Sequence, residues 1–219
     1  MPTQIYKTTN GTIVPGTTTV IGASLGWGKD RLIGWAFKRG KEGHKNLRDE
    51  VDAACQAGTL AHAAAEAHIK GLPDPPTKEI DPAIVKKARR AFEAYMKWVD
   101  MTKLKLYGSE IPLVSESLLY GGTLDAVGEV NGQPALVDFK TSNGTYADHI
   151  IQIAAYTWLW EEVKQQELTG GVHLLRFGKE KGNFAHYMYP REAVLEAPFE
   201  SFKLLRRLFD LRREVEALA

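Results

Sequence analysis

The sequence predicts an α/β fold: a central mixed β-sheet with helices packed on both of its faces. Three observations carry the prediction. Tyr120–Val130 and Gln133–Thr141 are apolar runs joined by Asn131-Gly132, the strongest short-range signal for a two-residue hairpin turn. Both faces of that hairpin are apolar, with Leu124, Ala126, Val137 and Phe139 on one and Val127 and Leu136 on the other, and a strand pair apolar on both sides must be covered on both. Segments of helical period lie before and after it, from Pro82 to Val99 and from Ala147 to about Lys164.

The hairpin also fixes a register. With Asn131 and Gly132 as the central turn residues, Val130 faces Gln133, and counting outward places Asp125 across from Asp138. Directly opposed residues share a face, and Lys140, two residues beyond Asp138, lies on it too. Opposed carboxylates repel one another, so the arrangement calls for a cation between them, and a hard divalent ion with oxygen ligands is the natural occupant. Pro134 cannot donate to a ladder, but so soon after the turn it fits a strand's start.

In chain order, residues 3–21 combine Thr, Val and Ile with Gly11, Pro15 and Gly16, which predicts a short strand or hairpin leading into the domain. Leu32, Ile33, Trp35 and Ala36 allow a helix from Asp30 to about Phe37, interrupted around Gly40–Gly43, and 47–56 reads as another. Gly58-Thr59 offers an N-cap to an alanine-rich helix from Leu60 to about Ile69, which Gly71-Leu72-Pro73 ends. His62 and Glu66, four apart, share one face of that helix. Residues 71–80 form a Pro-rich linker, and Asp81-Pro82 supplies the cap and first-turn proline of the next helix. Its stripe of Ile84, Val85, Ala88, Phe92, Tyr95, Trp98 and Val99 is a core face. The sheet is expected to begin at Val114–Leu119, with Glu116 nine residues before Asp125. Gln152 and Tyr156 fall on one face of the 147–164 helix; Val172–Phe177 and Phe184–Tyr189 read as strands, and Glu192–Ala219 as a closing amphipathic helix.

A chain of 219 residues holds one sizeable domain, divided here into an N-terminal extension (1–57), a core (58–190) and a C-terminal helix (191–219). No window approaches the ~20 apolar residues of a membrane span, and Met1-Pro-Thr-Gln-Ile5 lacks the basic-then-apolar pattern of a signal peptide, so the expected location is cytoplasmic. Cys55 is the sole cysteine, which excludes an internal disulfide and an iron–sulfur cluster held by four cysteines of this chain. The formal net charge of +1 exerts no global pull on a polyanion, so nucleic-acid contact would come from local patches. Lys29, Arg31, Lys38, Arg39, Lys41, Lys45 and Arg48, near Trp27 and Trp35, suit backbone contact and a solvated face equally; Lys203, Arg206, Arg207, Arg212 and Arg213 read rather as a solvated helix face.

The ordered set Gly58-x-x-x-His62, Gly122-x-x-Asp125, Asp138-x-Lys140 and Gln152-x-x-x-Tyr156 resembles the PD-(D/E)XK nuclease superfamily, and more narrowly its RecB-like exonuclease branch, departing only in having Asp138 where many relatives have Glu. D-x-K alone is a weak signal; four motifs in order on suitable elements are a strong one. The resemblance implies a restriction-endonuclease-like core and a metal-dependent deoxyribonuclease of the phage or bacterial recombination and repair sort. An endonuclease or junction resolvase of the same fold, or a non-catalytic nucleic-acid-binding scaffold, stands as the alternative. It implies that Asp125, Asp138, the Phe139 carbonyl and His62 bind one or two Mg2+ or Mn2+ ions, and that Lys140 acts on the attacking water, with burial and a neighbouring cation favouring its neutral form. Gln152 and Tyr156 would contact the substrate strand, with Glu66 and Glu116 in supporting positions. The partner implied is DNA, with a single-strand-binding or annealing protein as a further candidate and a bacterial or phage-infected cell as the setting.

Overall fold

A computed structural model describes residues 4–26, 29–43, 47–178 and 183–218, with their side chains except those of 29–32, 35, 39, 47–56 and 213. A five-stranded mixed sheet forms its centre, in the order β3 (Lys105–Ser115), β4 (Tyr120–Val130), β5 (Gln133–Thr141), β6 (Val172–Phe177) and β7 (Phe184–Tyr189). All neighbours are antiparallel except β5 and β6, which run parallel and are joined by α5 (Ala147–Lys164). The hairpin between β4 and β5 has the predicted register, with Val130 paired to Gln133. Asn131 and Gly132 both have positive φ, 53° and 78°, the geometry of a type I′ turn and the reason Asn-Gly closes it.

Helices cover both faces. On one, α5 packs with α1 (Thr17–Ser24), α6 (Arg191–Leu195) and α7 (Ala197–Glu216) over Val127, Leu136, Val172 and Leu174. On the other, α3 (Leu47–Lys70) and α4 (Pro82–Thr102) bury Ala61, Ala65, Tyr95 and Trp98 against Ala126, Val137, Phe139 and Phe177. Asp81 caps α4 as expected, accepting the Ala83 N–H at 2.7 Å. The extension carries two-residue strands, β1 (Tyr6–Lys7) and β2 (Ile13–Val14), followed by α1 and α2 (Lys29–Lys41), and is tied to β4 by a Tyr6–Thr123 hydroxyl contact of 3.0 Å.

Four expectations are corrected. The helix over 60–69 is not separate from 47–56: α3 runs unbroken through Gly58-Thr59, which is therefore no N-cap. Gly58 instead marks a close approach, since a Cβ there would lie 2.7 Å from Thr141 Cγ2 and 3.1 Å from the Phe177 carbonyl oxygen. The first long strand spans Lys105–Ser115 rather than Val114–Leu119, a segment that is mostly the turn into β4. Leu124 packs with Val127 and Leu136 rather than with Ala126, so β4 departs from strict alternation between Leu124 and Val127. The closing helix is broken at Glu196 into α6 and α7.

Candidate active site

The site lies where β4 and β5 part. Ladder pairing ends at Ala126–Val137, one step short of Asp125 and Asp138, and the Asp125 carboxylate takes up the freed backbone group: its Oδ2 accepts the Phe139 N–H at 2.8 Å. Asp138 is fully buried on the α5 face, and its Oδ1 has no hydrogen-bond donor among the described residues. Lys140, next on that face, brings Nζ to 2.6 Å from Asp138 Oδ2, a close ion pair.

The electrostatics follow from this burial. Desolvation pushes the Asp138 carboxyl up to about 6 against the pull of Lys140, with the Asp125 charge adding to the rise. Asp125 is raised for the same first reason, opposed by Lys140 and the Phe139 N–H. For Lys140, burial works against the charge, yet Asp138 and Asp125 outweigh it and its pKa is raised. In the metal-free protein two carboxylates therefore hold its proton; the neutral form expected of it is the one beside a bound cation. Two buried acids that carry charge only at a desolvation cost suit a divalent cation held by hard oxygen ligands.

His62 lies on the opposite sheet face, with its ring edge-on to Phe139 and Phe177 at centroid distances of 5.5 and 6.4 Å, near enough for the Asp138 and Lys140 charges to act on it. Burial lowers its pKa, opposed by Glu66 and Asp138, so the imidazole is neutral at neutral pH, the form that binds metal. Among the described residues, no three His, Cys, Asp or Glu side chains converge at metal-ligand spacing, so His62 and the two aspartates do not form a ready-made triad. Glu66 pairs with Lys70 at 2.5 Å instead of holding the imidazole. Glu116 is engaged elsewhere, accepting the Thr9 N–H at 2.7 Å. On α5, Gln152 Nε2 donates to the Tyr156 hydroxyl at 2.9 Å, and burial, then the Asp138 charge, raise the tyrosine's pKa. The motif glycine Gly122 has a steric cause, since a Cβ there would sit 2.6 Å from Tyr156 Cε1.

Two residues escaped the sequence reading. Glu110 sits across β4 from Asp125, between the pairs Ser109–Ala126 and Ile111–Leu124, and its charge contributes to raising the Asp125 carboxyl. His149, three before Gln152 on α5, has a buried Nδ1 without a partner, and burial and then the Lys140 charge lower its pKa. The spacing 149, 152, 156 was the available signal for His149; Glu110 had none, because β3 was not foreseen. In the basic stretch near the N-terminus, the side chains of Trp27, Lys29, Arg31, Trp35, Arg39, Lys45 and Arg48 lie outside the described residues. The C-terminal cluster is largely paired within α7, as Lys203–Glu200, Arg206–Asp210 and Arg212–Glu216.

A mixed sheet between helical layers, with an Asp-x-Lys on one strand and an aspartate on its hairpin partner, defines a nuclease-type site. The chain matches the PD-(D/E)XK nuclease superfamily over residues 33–217 and belongs to that superfamily. Among solved structures it is similar to a candidate exonuclease from Eubacterium rectale, with a TM-score of 0.45 and 13% identity over 68% of this chain and 64% of that one, less than two thirds of its length. It is also similar to LHK-Exo, an alkaline exonuclease from Laribacter hongkongensis. The complex of that enzyme with dAMP gives a TM-score of 0.38 and 12% identity over 78% of this chain and 95% of that one. No curated protein matches the chain.

Proposed function

We propose that this chain is a single-domain, Mg2+- or Mn2+-dependent deoxyribonuclease of the RecB-like exonuclease branch, acting in the cytoplasm in DNA recombination, repair or phage DNA processing. The observation that carries the reading is the fully buried Asp138 carboxylate, paired with Lys140 through Oδ2, without a donor to Oδ1 among the described residues, and placed beside Asp125. An inert scaffold has no use for two buried acids and a buried lysine at one place, because burying charge costs folding energy even where it is paired.

Asp125, Asp138 and the Phe139 carbonyl would hold the cation, with His62 as the nitrogen ligand. When bound, a divalent ion supplies charge stabilisation at the phosphate and acidifies a coordinated water. Neutralising Asp125 and Asp138 removes what holds the Lys140 proton, which frees the amine to orient the water and accept its proton. Tyr156, protonated and fixed by Gln152, keeps its O–H available to a phosphate oxygen. The test is incubation of the purified protein with end-labelled linear and circular DNA in Mg2+, Mn2+ or EDTA. The expected result is metal-dependent release of nucleotides from linear DNA alone; nicking of circles would make it an endonuclease, and no cleavage with either metal would refute catalysis.

A further inference from the structure

Beside the catalytic pair lies a cation that the mechanism above does not use. Arg176 on β6 pairs in register with Lys140 on the parallel strand β5, so both side chains leave the same face of the sheet. Arg176 is only 6% exposed. Its single hydrogen bond among the described residues runs from Nη1 to the Ser142 carbonyl at 3.0 Å, and its Nε is buried with no partner. No carboxylate among the described residues pairs with it, although Arg191, Arg206 and Arg212 all have one. A guanidinium buried without a counter-charge is costly, and such a group calls for an explanation.

Its place in the fold supplies one. β5, α5 and β6 form a strand–helix–strand unit, and Arg176 reaches from β6 to the connection between the carboxyl end of β5 and the amino end of α5. Anions bind at that end of parallel strands, where the first turn of the following helix offers free N–H groups. The N-cap of α5, Tyr146, supplies no side-chain cap; its carbonyl takes the His149 and Ile150 N–H groups, which leaves those of Ala147 and Asp148 as the ones a ligand can meet, and the Asp148 side chain is exposed to solvent. Gly178, after β6, admits the guanidinium closely: a Cβ there would be 3.3 Å from Arg176 Nη1.

We infer that Arg176 and the β5–α5 connection form a phosphate subsite that takes a phosphodiester of the bound DNA strand next to the one being cut. The subsite rests on the nuclease reading and extends it, by giving the buried cation the anion it lacks. Adjacent strands stand ~4.8 Å apart, so Lys140 and Arg176 address neighbouring parts of one strand rather than the same oxygen.

The experiment compares the wild type with Arg176→Met by fluorescence anisotropy on a single-stranded oligonucleotide, across a range of salt concentrations with Ca2+ replacing the catalytic metals. Losing one phosphate contact makes the slope of log affinity against log salt shallower by about 0.7 and weakens binding on the order of tenfold. In cleavage assays KM rises more than kcat falls. Thermal stability is held or raised, since an apolar chain of similar volume replaces an unpaired charge. An unchanged slope overturns the subsite and leaves Arg176 as a strut for Ser142, whatever the melting temperature does. If Arg176→Met does not fold, Arg176→Gln keeps a donor for Ser142 and is judged by the same slope. A wild type that neither binds nor cuts DNA would refute the nuclease reading itself, an outcome distinct from a wild type that does both while the variant matches it.

Discussion

Replacing Asp138 with Asn should stabilise the metal-free protein, and by an amount that depends on pH. The carboxyl is displaced from 3.8 to about 6 by burial, and the Lys140 charge only partly offsets this. At ~1.4 kcal/mol per pH unit, that displacement corresponds to at most about 3 kcal/mol against the folded state at neutral pH. Asn leaves Lys140 with Asp125 and, more weakly, Asp148 as counter-charges, so a net gain of ~1–2 kcal/mol is expected. The sign is set by linkage. A carboxyl raised in the folded state binds more protons there than in the unfolded chain, so its contribution is intact below pH ~4 and lost as pH rises through about 6. Urea unfolding in EDTA should therefore give equal stabilities for wild type and Asp138→Asn near pH 4, and a gap that opens toward pH 6 and is constant above it. A variant no more stable than wild type at pH 7.5, or a gap independent of pH, would refute the reasoning.

Lys140→Ala should reduce cleavage at least ~100-fold while leaving metal affinity largely intact, as calorimetry beside a turnover assay will check. His62→Ala should weaken metal affinity about tenfold, with activity partly recovered at high Mn2+; unchanged affinity would make the histidine a packing residue against Phe139 and Phe177. Asp125→Asn keeps an oxygen to accept the Phe139 N–H but removes a charge, so the apo protein should gain ~1 kcal/mol and lose both activity and the metal-induced rise in Tm. Gly122→Ala should cost ~1–3 kcal/mol by overpacking, because its methyl would meet the Tyr156 ring and Leu159; an unchanged Tm would show that α5 can shift at no cost.

What was legible in the sequence was local. The turn chemistry of Asn131-Gly132 set the β4–β5 register, and Asp81-Pro82 set the start of α4. The same local logic misread Gly58, where the sequence offers a helix start and the structure uses the missing side chain to let a continuous helix touch β5 and β6. Gly108 and Pro112 hid β3, since both are poor strand residues in isolation and are tolerated in an edge strand. With β3 unseen, the position of Glu110 across from Asp125 could not be found. Lys140 was placed correctly beside Asp138, but its charge state depends on burial and on two carboxylates at once, which no spacing reveals. Arg176 sits in an apolar run, Val172–Phe177, and only the parallel pairing with β5 brings it next to Lys140.

Calorimetric titration of the metal-free protein with Mn2+ tests most directly whether the two aspartates share a cation. The wild type should bind at pH 7.5, bind more weakly as pH falls through about 6 and protonation of Asp138 competes, and lose binding in both Asp125→Asn and Asp138→Asn. A wild type that takes up no Mn2+, or an Asp138→Asn variant that binds it as well as the wild type does, would contradict the account.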